Sequence, residues 1–336
     1  MADLLDRLCD WIAIDSVTGH EGDYGDAVAR HLSGLGFEVE RQELAPGRFN
    51  VLARAGEPEL VFCSHLDTVP PYFGPSRKGA VIHGRGACDA KGPTLAMIEA
   101  ARRLVAGGER RVGFLFTVGE ETDSAGAQHA NVQTSERWKP RWTLIGEPTG
   151  NRFVRGGKGV FKGELVAHGV AAHSSRPLGP SAVHELVRTL HGLLGERWGV
   201  HPVFGEGSLN VGLLQGGLAA NVVAPEARAT LMVRAVEEPA AVEARVRRHL
   251  SKDVEFRTEK GYGPVEFHVP AAHAADAPVV AFGTDAPWLT RFGTRLLYGP
   301  GSIDDAHTAH EHIATASFER AVADYERTAR ELLGRG

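Results

Sequence analysis

The chain has 336 residues, more than one ordinary core holds, which leaves one large domain or two modest ones. With 43% hydrophobic and 24% charged residues it has a soluble globular composition. A net charge of −5 without any basic run excludes nucleic acid and a membrane surface as expected partners. No segment approaches the length of a membrane span, and the start mixes acids into an amphipathic helix instead of carrying a basic region followed by an apolar one, so no leader is expected. Three cysteines, Cys9, Cys63 and Cys88, lack CxxC spacing, which argues against a disulfide scaffold or a thiolate zinc knuckle and suits a cytoplasmic location.

After two N-terminal helices, short apolar runs predict strands near residues 49–54, 60–63, 112–118 and 142–145. Between them "KGPTLAMIEAARRLVAGG" keeps Leu95, Ile98, Ala101 and Val105 at helical spacing and ends on a glycine pair. This alternation predicts an α/β fold. From about Gly156 the texture changes. "GVFKGELVAHG", "SLNVGLLQGG", "EARATLMVRAV" and "DVEFRTE" read as strands, while "PSAVHELVRTLHGLLGE" and "PAAVEARVRRHL" read as helices. Their order, βαββαβ, is that of a ferredoxin-like α+β unit. It reads as an insertion, because a Gly/Pro/Ala-rich join over residues 261–287 leads back to a strand, "TRLLYG", and a closing amphipathic helix. The expected domains are therefore residues 1–155 with 265–336, and an inserted 156–264.

Five stretches hold His or carboxylates where a strand gives way to a loop: "SHLDTVP", "GRGACDAKG", "GEETDSAG", "IGEPTG" and "GPGSIDDAHTAHE". Sites in open α/β sheets are built in such loops. Singly each has an ordinary reading as a loop pair or a solvated acid, and GxxxxGK[ST] and GxSxG are both absent. As a set they have ligand arithmetic. Two histidines and three carboxylates in a dry cleft need divalent cations to neutralise them. His65, Asp89 and Glu147 could hold one Zn²⁺, Glu121 and His307 a second, and Asp89 could bridge both, leaving each ion an open position. Glu120, unligated beside Glu121, is placed to move a proton from water to a leaving amine. Asp67, two residues beyond His65, is placed to accept the second ring N–H.

These stretches, in this order, resemble the signatures of the co-catalytic di-zinc peptidases and deacylases, a family that includes glutamate carboxypeptidase, succinyl-diaminopimelate desuccinylase, aminoacylase and acetylornithine deacetylase. The resemblance covers essentially the whole chain. It implies a catalytic domain with a mixed central sheet flanked by helices, plus a ferredoxin-like α+β lid and dimerisation domain. It assigns His65, Asp89 and Glu147 to one zinc, Asp89, Glu121 and His307 to the other, Glu120 to general base and Asp67 to the supporting acid. Two Zn²⁺ are expected, with Co²⁺ or Mn²⁺ as substitutes, and the Asp89–Ala90 peptide is expected to be cis. In the insert, "GVAAHSSRP" is similar to the segment whose histidine, here His173, reaches the partner subunit's site in a homodimer. Asn221, Arg234 and Lys158 match substrate-binding positions of the family.

Two departures matter. His310 stands where many relatives carry Asn or Asp, which puts the outer contacts of the last loop in question. The arginine that precedes "GTDA" in glutamate carboxypeptidases is missing, which disfavours a C-terminal glutamate substrate. "GTDAPWL" followed by "YGPGSIDDAHTAHE" looks most like the acetylornithine deacetylase branch. The expected function is removal of an acyl group, acetyl above all, from a small N-acyl amino acid such as N-acetylornithine or N-acetylcitrulline, in amino-acid biosynthesis. A succinyl-diaminopimelate desuccinylase, a dipeptidase or carboxypeptidase, and a catalytically silent metal-dependent binding protein are the alternatives.

Overall fold

The computed structural model describes residues 2–334 and divides into two compact units. The first comprises Met1–Arg155, Phe267–Pro278 and Thr284–Gly336, the second Gly156–Glu266 and Val279–Gly283. The expected range 265–336 places residues 265–266 and 279–283 with the first unit. They group instead with the second, because Val265–Glu266 and Val279–Val280 both pair with Gly156–Gly157.

The first unit is built on a six-stranded sheet ordered Glu38–Ala45, Arg48–Arg54, Val112–Thr117, Leu60–His65, Trp142–Ile145 and Thr294–Leu297. The last four are mutually parallel and the first two pair antiparallel. Leu60–His65 and Val112–Thr117 are buried along their whole length, as central parallel strands must be. The helices Lys91–Ala106 and Thr315–Leu332 pack on each other and their apolar stripes join the core of this sheet. Phe62 stacks on Phe114 at 5.9 Å and meets Tyr325 of the last helix edge-on at 6.0 Å. The register His65↔Thr117 and Cys63↔Ile145 brings the carboxyl ends of the parallel strands into line. Everything that follows those ends is therefore gathered at one edge of the sheet.

The second unit is a four-stranded antiparallel sheet ordered Ser208–Gly216, Glu226–Ala235, Gly159–His168 and Val254–Tyr262, with helices Ala182–Leu194 and Pro239–Arg247. In chain order that is second, third, first, fourth, the ferredoxin-like arrangement. Glu226–Ala235 alternates buried with partly exposed residues, and its buried Leu231 and Val233 join Leu186, Leu190, Val242 and Val246 of the two helices in a separate core. Ser208–Gly216 has one neighbour and leaves an open edge.

Among the described residues no helix is long and apolar enough to cross a membrane. Truncating Phe62, which is fully buried between two rings, removes contacts that no neighbour replaces. Phe62→Ala is expected to cost about 3–5 kcal/mol in urea unfolding at unchanged slope; a loss below ~1 kcal/mol would contradict this packing.

Candidate metal centre

Every element of the site lies in the first unit. His65 closes the strand Leu60–His65; Glu120 and Glu121 follow Val112–Thr117, Glu147 follows Trp142–Ile145, and His307 lies in the segment after Thr294–Leu297. Asp89 stands before the helix Lys91–Ala106, and its peptide with Ala90 is cis, as the resemblance implies. Gly301 lets the last segment cross this turn. Its φ is +80°, and a Cβ there would lie 2.4 Å from Cys88 Cβ.

The two oxygens of Asp89 face different histidines. Oδ1 is 2.9 Å from His65 Nε2 and Oδ2 is 3.2 Å from His307 Nε2. His307 Nε2 also lies 2.9 Å from Glu121 Oε2, and His65 Nε2 lies 3.9 Å from Glu147 Oε2. Ligand atoms of His65, Asp89 and Glu121 all fall within 4.8 Å of one another. The five residues named as ligands from the sequence are thus drawn into one continuous cluster with Asp89 in the middle.

Its electrostatics are those of a cation site. Burial pushes Asp89 up, but hydrogen bonds with His307 and His65 reverse this and hold it below its ordinary range. The bonds to Asp89 and then Glu121 raise His307 to about 10. Burial alone would lower His65, yet the Asp67 and Asp89 carboxylates outweigh it and raise the imidazole well above normal. Burial, then the Glu147 charge, raises Glu120 well above a carboxylate's usual value. Glu121 and Glu147 rise for the same first reason, with the Asp89 charge adding to it. Two imidazoles that hold an extra proton among four crowded carboxylates mark a pocket short of positive charge. The donors, two nitrogens with carboxylate oxygens, fit Zn²⁺, Co²⁺ or Mn²⁺.

Asp67 does a different job from the one expected. His65 Nδ1 donates to the main-chain carbonyl of Asp67 at 2.9 Å, whereas the Asp67 carboxylate is 3.6 Å from that nitrogen. The carbonyl only accepts, so Nδ1 keeps its hydrogen and Nε2, which donates to Asp89 here, is the nitrogen left for a metal to replace that proton. The carboxylate instead accepts the N–H groups of Glu120 and Glu121, each at 3.1 Å, and the Thr18 hydroxyl at 2.8 Å. Asp67 therefore sets the positions of both glutamates. Asn50 braces the ends of the same loop, accepting from Val118 N–H and donating to the Gly126 carbonyl.

Glu311 plays the matching part for Asp89. One oxygen accepts the N–H groups of Cys88 and Asp89, each at 3.1 Å, and the other takes Arg85 Nη1 at 2.6 Å. His310, whose substitution put this loop in question, is exposed and leaves those contacts intact. Sequence reasoning passed over Thr18, Asn50, Arg85 and Asp285. Asp285, in "GTDA", is buried, accepts the Thr117 hydroxyl at 2.5 Å and is pushed up to about 6 by burial. A buried acid beside a small-residue turn was the only signal, and the sequence does not say which acids are buried.

In the second unit, the segments carrying His173 and Asn221 lie side by side: Ser174 N–H donates to the Asn221 carbonyl, and His173 bridges to Val222. His173 Nδ1 accepts from Ser175 N–H at 3.2 Å, so the ring proton sits on Nε2. Lys158 donates to the Glu206 carbonyl at 2.6 Å, and Arg234 is half-buried on its strand opposite Val160.

Known proteins give this geometry its context. A probable carboxypeptidase of Aspergillus flavus is 34% identical over 363 residues, covering 94% of this chain and 87% of the relative. A tripeptidase from Staphylococcus aureus has the same fold at a TM-score of 0.79 and 22% identity, with 96% of each chain covered. So does a dinuclear metal-binding peptidase of the M20 family from Bacillus subtilis, at 0.73 and 16%, covering 100% of this chain and 99% of that one. Residues 61–331 match the model of peptidase family M20/M25/M40, and the chain belongs to that family.

Proposed function

We propose that this protein is a metal-dependent hydrolase of a linear amide that removes an acyl group, acetyl above all, from a small N-acyl amino acid. The observation that carries the reading is Asp89 set between His65 and His307, with Glu120 free of both. His65, Asp89 and Glu147 would hold one divalent cation and Asp89, Glu121 and His307 a second, zinc being the choice that the donor set favours. When bound, the pair supplies Lewis acidity that polarises the scissile carbonyl and makes water more acidic.

The chain's own groups do the rest. Glu120, raised by burial, takes a proton from the attacking water at its carboxylate and returns it to the leaving nitrogen. The His173 Nε2–H donates to the oxyanion of the tetrahedral intermediate, in the partner subunit's site of a homodimer. The open edge of Ser208–Gly216 and the exposed Leu213, Leu214 and Leu218 support such a dimer. Arg234 and Lys158 hold the substrate's α-carboxylate and Asn221 makes a further substrate contact; a second acid would need a clamp of its own, which an acetyl group does not. The three free thiols, two of them buried, support a cytoplasmic location, and amino-acid biosynthesis is the setting that the substrate suggests.

A second reading, a dipeptidase or carboxypeptidase, is favoured by the name of the Aspergillus relative. It uses the same centre, because a dipeptide and an N-acetyl amino acid share the acyl–NH–CHR–carboxylate core. Its outcome is read in the substrate screen below.

Chelation is expected to abolish hydrolysis, with zinc or cobalt restoring it. Glu120→Ala should lower kcat by about 10²–10⁴ while two metals stay bound, whereas Glu121→Ala should lose metal; full metal and activity in both variants would refute the assignment. His173→Ala and Glu120→Ala subunits, each inactive alone, should regain activity at one of two sites when mixed. No recovery after verified subunit exchange, or a monomer in solution, would remove the role in trans. For substrate, kcat/KM on N-acetylornithine or N-acetylcitrulline should exceed that on N-succinyl-diaminopimelate by at least about tenfold, roughly 1.4 kcal/mol. The reverse order would overturn the acetyl reading and leave the metal chemistry standing. Faster turnover of dipeptides than of either acylated amino acid would instead establish the peptidase reading.

A further inference from the structure

We propose that His83 and His312 form a second metal site, separate from the carboxylate cluster, that takes one transition-metal cation such as Ni²⁺, Cu²⁺ or Zn²⁺. Val81–His83 and His312–Ala314 pair antiparallel with His83 directly opposite His312. Their ring centroids are 5.3 Å apart, with 37° between the planes. Two imidazole nitrogens on one tetrahedral ion at about 2.0–2.1 Å stand about 3.3 Å from each other. Cross-strand rings at this spacing reach that separation by side-chain rotation, with the ladder holding the backbones in place.

His312 is already set in a ligand's tautomer. Its Nδ1 lies 3.0 Å from the His310 carbonyl and 3.6 Å from Asp305 Oδ1. A carbonyl only accepts, so Nδ1 carries the hydrogen and Nε2 keeps its lone pair. His65 has the same surroundings, with a carbonyl at 2.9 Å and a carboxylate at 3.6 Å from Nδ1. A carbonyl that holds one ring nitrogen orients the imidazole so that the other is free for a metal.

The composition of the site predicts its selectivity and strength. Imidazole ligands favour Cu²⁺, Ni²⁺ and Zn²⁺ over Mg²⁺ or Ca²⁺. Among the described residues the group with three ligand atoms within 4.8 Å is His65, Asp89 and Glu121, so His83 and His312 supply a two-residue chelate that water completes. Both are partly exposed, which gives ions access. His312 follows Glu311, whose carboxylate holds the N–H groups of Cys88 and Asp89. An ion here would therefore tie the segment anchoring the Asp89 turn to the neighbouring strand.

The test uses the whole protein with its carboxylate cluster saturated with zinc and free metal removed. Calorimetric titration with Ni²⁺ should find one further equivalent per chain, and the same addition should raise Tm. His83→Gln and His312→Gln should each weaken that equivalent by at least about tenfold and remove the rise in Tm, while amide hydrolysis without added Ni²⁺ stays unchanged. His20→Gln, a histidine elsewhere on the surface, should leave it intact. The inference is overturned if no further equivalent binds, or if both histidine variants keep it at unaltered affinity. It does not rest on the proposed reaction, since the signal follows His83 and His312 whatever the protein hydrolyses.

Discussion

The arrangement depends on one carboxylate shared between two histidines. Asp89 offers Oδ1 to His65 and Oδ2 to His307, in surroundings where burial and then neighbouring carboxylate charges raise Glu120, Glu121 and Glu147. Acids that stand so near in a low dielectric repel unless positive charge sits among them. The geometry must therefore be held by the rest of the fold, because the cluster by itself pushes its own loops apart.

Two further acids do the holding. Asp67 grips the N–H groups of Glu120 and Glu121, and Glu311 grips those of Cys88 and Asp89. In each case a buried carboxylate binds backbone of the turn that carries another carboxylate. A main-chain N–H bond to a charged acceptor is strong and directional, and it adds no competing ligand atom to the cleft. Each anchor has its own counterpart: Thr18 hydrogen-bonds Asp67, and Arg85 pairs with Glu311. Asp67 and Glu311 come from distant parts of the chain, and the parallel register of the central strands brings them to one edge.

Much of this was legible in the sequence. The alternation of apolar runs with a helical 3.6 period, followed by βαββαβ, predicted both sheets, since apolar patterning reports which face an element buries. The cluster itself was legible because His and acids at several strand ends have few uses together other than a metal. The role of Asp67 was not. Spacing of two residues from His65 suggested its carboxylate against the ring, but the backbone curls so that its carbonyl takes that place. His310 appeared to threaten the last loop and proved exposed, because the anchoring there runs through Glu311. The strand Glu38–Ala45 and the pairing of His83 with His312 were also missed, as short or solvated strands carry little apolar signal.

The sequence by itself determined the element order, the residue types available at each strand end and hence the family to which the chain belongs. Those follow from local rules: period, composition and the chemistry of single side chains. Only the tertiary structure decided which acid faces an imidazole, which anchors backbone N–H groups and which, like Asp285, lies buried against a threonine hydroxyl. A carboxylate's role depends on whether a backbone N–H, an imidazole or another acid faces it, and those neighbours lie tens to hundreds of residues away. Their meeting is a product of sheet register and of where each loop leaves its strand, which no local stretch encodes.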